Sequence, residues 1–96
     1  PISPILKSTT STGKDPTSVF VRGNFAFITN SSSNTLQSFN ISNPTAPSLV
    51  SIVSTGKTPY EVVISGNYAF VSNAFSDNIQ MFNISNPASI VEEVQV

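Results

Sequence analysis

Apolar residues in this chain come in short runs, such as Val19 to Val21, Val62 to Ile64 and Tyr68 to Val71, each closed within a few positions by Gly, Asn, Ser or Pro. They do not return at the spacing of three and four that gives a helix its buried stripe, and seven prolines with four glycines punctuate the chain too often for long helices. Short runs between turn formers predict strands. In the first half these are Ser18 to Arg22, Phe25 to Thr29, Thr35 to Ile41 and Ser48 to Thr55. Gly23 and Asn24 separate the first two, a pair suited to a tight hairpin because both tolerate positive φ. The polar loop Asn30 to Asn34 and the turn Ser42, Asn43, Pro44 separate the others. The second half predicts Glu61 to Ser65, Tyr68 to Ser72, Asn78 to Ile84 and Ile90 to Val96.

The two halves are one text written twice. Gly13, Lys14 and Pro16 recur as Gly56, Lys57 and Pro59, a period of 43 residues. The same offset carries Gly23, Asn24, Ala26 and Phe27 onto Gly66, Asn67, Ala69 and Phe70, Asn30 onto Asn73, and Gln37 onto Gln80. Phe39 to Pro44 returns as Phe82 to Pro87, with no gap anywhere. Pro1 and Pro4 stand one period before Pro44 and Pro47, so Ile5 to Ser11 is expected to be the fourth strand of a preceding unit. The expected organisation is an outer strand of a preceding blade over residues 1–12, one repeat over 13–55 and a second over 56–96.

A half-exposed sheet alternates apolar and polar residues, whereas Val62, Val63, Ile64 and Tyr68, Ala69, Phe70, Val71 are apolar toward both faces. Strands of that kind need cover on two sides, which radial stacking of four-stranded sheets supplies. The expected fold is therefore all-β: β-propeller blades, two four-stranded antiparallel repeats plus one flanking strand. Pro59, Val62, Ile64, the Gly66-Asn67 turn, Tyr68 to Val71, and the run Ile79 to Pro87 together resemble the LVIVD-repeat family and the related YVTN-type propellers. The resemblance spans essentially the whole chain and implies blades. One departure stands out: the acidic residue that the family places before the Ile-Ser turn is Asn here, at Asn40 and Asn83. Asn accepts the same backbone N–H groups, so the turn is expected to survive.

Composition narrows the function. Only 9% of the 96 residues are charged and the net charge is −1, which leaves no basic field for nucleic acid. No apolar run approaches the length of about 18 residues needed for membrane insertion as a helix. Cysteine and histidine are absent, which removes thiol nucleophiles, the usual zinc ligands and the commonest general base. The five carboxylates lack the spacing of a calcium loop, and the glycines match no phosphate-binding pattern. No catalytic, metal or cofactor residue is expected, and the chain is expected not to be an enzyme. Polarity carried by Ser, Thr and Asn rather than Lys and Glu points to an extracellular or cell-surface protein. The chain opens on Pro1 and is expected to be a processed or excised piece of a longer polypeptide.

Candidate binding residues lie where the repeats differ. The loops 31–34 and 74–77 offer Ser31, Ser32, Asn34, Ala74, Phe75 and Asp77. Phe75, whose counterpart is Ser32, is either an exposed anchor or a plug in a neighbouring blade. Lys14 and Lys57 precede the innermost strand and Glu61 opens it, so these three are candidates for the rim of a central channel, with solvated loop charges as the plain alternative. Asn30, Asn40 and Asn83 each begin an Asn-x-Ser triplet that would accept glycan in a eukaryotic secretory pathway.

Two blades expose apolar end faces, so the chain is expected either to be part of a longer propeller or to assemble with further copies. The expected role is a rigid scaffold or a platform for a protein or glycan ligand. The alternatives are a self-assembling ring or fibre protein, and the scaffold portion of an enzyme whose active site lies on other blades.

Overall fold

A computed structural model describes residues 4–95; Pro1 and the last residue of the expected tail strand, Val96, lie outside the described residues. Eight strands form two antiparallel four-stranded sheets in simple meander order. Sheet 1 contains β1 (Pro16–Arg22), β2 (Phe25–Asn30), β3 (Thr35–Asn40) and β4 (Ser48–Ser54). Sheet 2 contains β5 (Pro59–Ser65), β6 (Tyr68–Asn73), β7 (Asn78–Asn83) and β8 (Val91–Gln95).

The turns explain why the strands stop where they do. Arg22 pairs with Phe25 and Ser65 with Tyr68, which leaves two-residue hairpins at Gly23-Asn24 and Gly66-Asn67. Only the glycine of each pair takes positive φ, at 59°, the pattern of a type II′ turn. Asn24 and Asn67, which tolerate positive φ, do not use that tolerance here. At the same end of each sheet, beside the hairpin, Asn40 Oδ1 accepts Ser42 N–H at 2.9 Å and the Ser42 hydroxyl at 2.7 Å, and Asn83 does the same with Ser85. The Asn in place of the family's acid thus keeps the turn closed.

Each repeat carries the same two irregularities. Register shifts at Pro16/Ser18 and Pro59/Glu61 place an extra residue, Thr17 or Tyr60, at the start of the first strand. Further shifts fall between Ser38 and Phe39 and between Met81 and Phe82.

The sheets stack face to face. Register and alternation put Phe20, Phe27, Leu36 and Val53 on one face of sheet 1, here called its front, and Val62, Ile64, Ala69, Val71 and Phe82 on the back of sheet 2. These residues, with Phe25, Ile84 and Ile90, make the hydrophobic core. Polar bonds close its margins. Thr17 Oγ1 donates to Pro59 O at 3.2 Å, and the hydroxyls of Ser38 and Ser51 both donate to Pro87 O, at 2.8 and 2.7 Å. Strands apolar toward both faces are therefore explained on one side of each sheet by the other sheet.

The flanking strand expected over Ile5 to Ser11 is not formed. Residues 4–12 contain no strand, because a strand exists only within a ladder and no partner for this segment lies among the described residues. The segment nevertheless keeps its phase. Ser8 Oγ donates to Pro44 O at 2.7 Å, the bond that Ser51 makes to Pro87 one period later.

Candidate functional site

In an antiparallel meander the segment entering the first strand and the loop between the second and third emerge at the same end. Lys14 and Asp15 therefore meet residues 31–34, and Lys57 and Thr58 meet residues 74–77. Ser31 N–H donates to Asp15 O at 2.9 Å, Ser32 N–H to Lys14 O at 3.3 Å, and Lys14 N–H to Ser33 Oγ at 2.7 Å. The second repeat matches: Ala74 N–H to Thr58 O at 2.9 Å, Phe75 N–H to Lys57 O at 3.2 Å, and Lys57 N–H to Ser76 Oγ at 2.7 Å. The lysines and the loop residues, separate candidates in the sequence, form one two-loop unit per blade.

A buried polar frame supports each unit. Asn30 Nδ2 donates to Gln37 Oε1 at 2.8 Å, and the same oxygen accepts Gly13 N–H at 2.9 Å. In the second repeat Asn73 and Gly56 donate to Gln80 Oε1 at 2.9 and 2.8 Å. A Cβ on Gly13 would stand 2.9 Å from Asn30 Cγ, and one on Gly56 3.0 Å from Asn73 Cγ. Glycine is required there by close approach rather than by a turn. Asn30 Oδ1 and Asn73 Oδ1 are buried and have no partner among the described residues. No role for this frame emerged from the sequence, although the recurrence of Asn30 and Gln37 as Asn73 and Gln80 was its signal.

Four rim residues take the left-handed conformation at φ 55°: Asp15, Asn34, Thr58 and Asp77. Asp and Asn adopt it readily, but a β-branched residue does not, so Thr58 is strained by about 1–2 kcal/mol. Its N–H is held by Asn34 Oδ1 at 2.9 Å, a bond that fastens the rim of sheet 1 to that of sheet 2. The Asp15 carboxylate accepts the Ser32 hydroxyl within its own blade.

At the tips Ser32, Ala74, Phe75 and Asp77 are exposed, Ser31 and Asn34 half-buried, and Lys14 and Lys57 exposed. Phe75 points to no neighbouring sheet's core; it stands 78% exposed. Glu61 lies elsewhere, on β5, where it lines a shallow hollow with Val63, Phe70, Ser72 and Ile79 on the uncovered front of sheet 2. No three carboxylates gather among the described residues. The rim offers hydroxyls, amides, two ammonium groups and one aromatic ring, a set suited to hydrogen bonding and stacking.

Compared with known families, the chain matches the model of the LVIVD repeat twice, over residues 13–55 and 58–96. No curated protein and no solved structure matches it.

Proposed function

The chain belongs to the LVIVD-repeat family, whose repeats are β-propeller blades, and from that premise we propose that it is a non-catalytic scaffold presenting its loop rim for binding. Below the rim both repeats keep the frame in which an Asn side chain and a Gly N–H donate to one Gln oxygen, whereas the tips differ, Ser31 and Ser32 against Ala74 and Phe75; this contrast carries the assignment. A rigid frame with divergent tips is how loops come to carry recognition. The ligand is a protein or glycan surface, anchored on the Phe75 ring and hydrogen-bonded by Ser31, Ser32, Asn34 and Asp77, with Lys14 and Lys57 at its fringe. Further blades, from the same protein or from further copies, complete the propeller. The excess of Ser, Thr and Asn over Lys and Glu supports a secreted or cell-surface setting.

Screening the chain on glycan and peptide arrays tests this, with Phe75→Ala and Ser32→Ala alongside and melting curves recorded for each. A signal lost in the variants at unchanged melting temperature is expected. Binding that survives both replacements, or replacements that unfold the sheets, would contradict a recognition role for these loops.

A further inference from the structure

The junction between the two sheets is a template for the face left open. On the front of sheet 1, Phe27 and Leu36 share the core with Val62 and Val71, Ser18 Oγ accepts Val62 N–H at 3.3 Å, and Asn34 Oδ1 accepts Thr58 N–H at 2.9 Å. One period later these four positions are Phe70, Ile79, Glu61 and Asp77, and all four are exposed. Phe70, Ile79 and Glu61 border a hollow of about 140 Å³ that lies where sheet 1 seats Val62. A matching surface exists on the chain itself. The back of sheet 1 presents Val19, Val21 and Ile28 at the positions of Val62, Ile64 and Val71. Val19 and Val21 are exposed there, and Val19 and Ile28 border a second hollow of about 320 Å³.

We propose that the front of sheet 2 docks the back of sheet 1 in a second copy of this chain, with Glu61 and Asp77 accepting the backbone N–H groups of Val19 and Asp15 in that copy. The proposal rests on the propeller-module reading and names the occupant of its open face. Two carboxylates stand where the internal junction uses a hydroxyl and an amide, and charge-assisted bonds are the stronger kind. The Asp15 side chain is turned to Ser32 of its own blade, and Lys14 brings a cation to the same loop, so Asp77 approaches an N–H in mixed rather than negative surroundings. Unlike faces meet, so the contact is head-to-tail and closes into a ring when its rotation permits. Propellers of four to eight blades correspond to roughly two to four copies.

Docking displaces one segment. Through Ser8, residues 4–11 hold the place beside Pro44 that β8 of the docking copy would take. β8 is laddered to β7 and the segment is laddered to nothing among the described residues, so the segment yields.

Sedimentation velocity of the full chain tests the proposal. Wild type is expected to sediment as two to four copies and Ser8→Ala to associate about five-fold more tightly, the effect of freeing one hydrogen bond. Asp77→Ala is expected to weaken association about ten-fold and Asp77→Asn to restore most of it. Val19→Asp and Phe70→Asp alter exposed positions on opposite faces; circular dichroism confirms that each remains folded. Each alone should be monomeric, while their equimolar mixture should form a dimer and nothing larger, because one intact pair of faces remains. Wild type and Ser8→Ala both monomeric at about 100 µM, Phe70→Asp associating like wild type, or a mixture that stays monomeric would overturn it. Those results leave the rim's recognition role untouched, since ligand binding measures that separately.

Discussion

Phe27 and Phe70 hold the same position in the repeat, yet one is 1% exposed and the other 37%. Leu36 and Ile79 differ in the same way, at 0% and 47%, and on the opposite face Val62 and Val19 stand at 2% and 62%. Sequence and strand register are alike at these sites; only the neighbouring sheet differs. Burial here is thus a property of stacking rather than of the sheet, and each blade carries apolar surface that becomes core only when another blade covers it.

The two phenylalanines should differ most in what their loss costs. Phe27→Ala should cost about 3–5 kcal/mol and Phe70→Ala under about 1 kcal/mol, measured by urea unfolding at a dilution where the chain is monomeric. Equal losses would mean that the two rings are equally covered. At concentrations where copies assemble, the gap should narrow, because Phe70 then gains the cover that Phe27 already has.

Where an interaction is complete within one blade, the repeats should instead behave alike. Gly13→Ala and Gly56→Ala each drive a Cβ against an asparagine at 2.9–3.0 Å, and each should lose about 1–3 kcal/mol. A large difference between the two would show that the polar frames are not equivalent. Thr58 sharpens the contrast from the other side. Its left-handed backbone is shared with Asp15, but its side chain is β-branched, so Thr58→Gly should raise stability by about 1 kcal/mol in thermal unfolding. Smallest is Ser51→Ala, with a loss of about 0.5 kcal/mol, because Ser38 still donates to Pro87 O. A double replacement with Ser38→Ala should exceed the sum of the single losses.

Most of the fold was legible in the residues. The hairpins at Gly23 and Gly66 and the turns at Asn40 and Asn83 are local chemistry repeated at a fixed period, and repetition removes the ambiguity that a single turn would carry. Eight strands fell where apolar runs and turn formers put them. Ile5 to Ser11 shows the limit: its pattern matches the fourth-strand phase, but a strand needs a ladder, and pattern alone does not supply one. The rim was partly legible. Divergence at Ser32 and Phe75 marked the tips, yet the bonds joining Lys14 to Ser33 and Asn34 to Thr58 link positions 19 and 24 residues apart, which periodicity does not pair. Gly13 and Gly56 are required by the tight space beside Asn30 and Asn73, a contact between distant positions that no local pattern reveals.

The stacking of the sheets is tested most directly by nuclear Overhauser contacts in a dilute solution of the chain. Contacts from the Phe27 ring and the Leu36 methyls to the methyls of Val62 and Val71 are predicted, with no cross-strand backbone contacts between β4 and β5. Backbone contacts joining β4 to β5 in one continuous sheet, with both phenylalanine rings free of those valines, would contradict it.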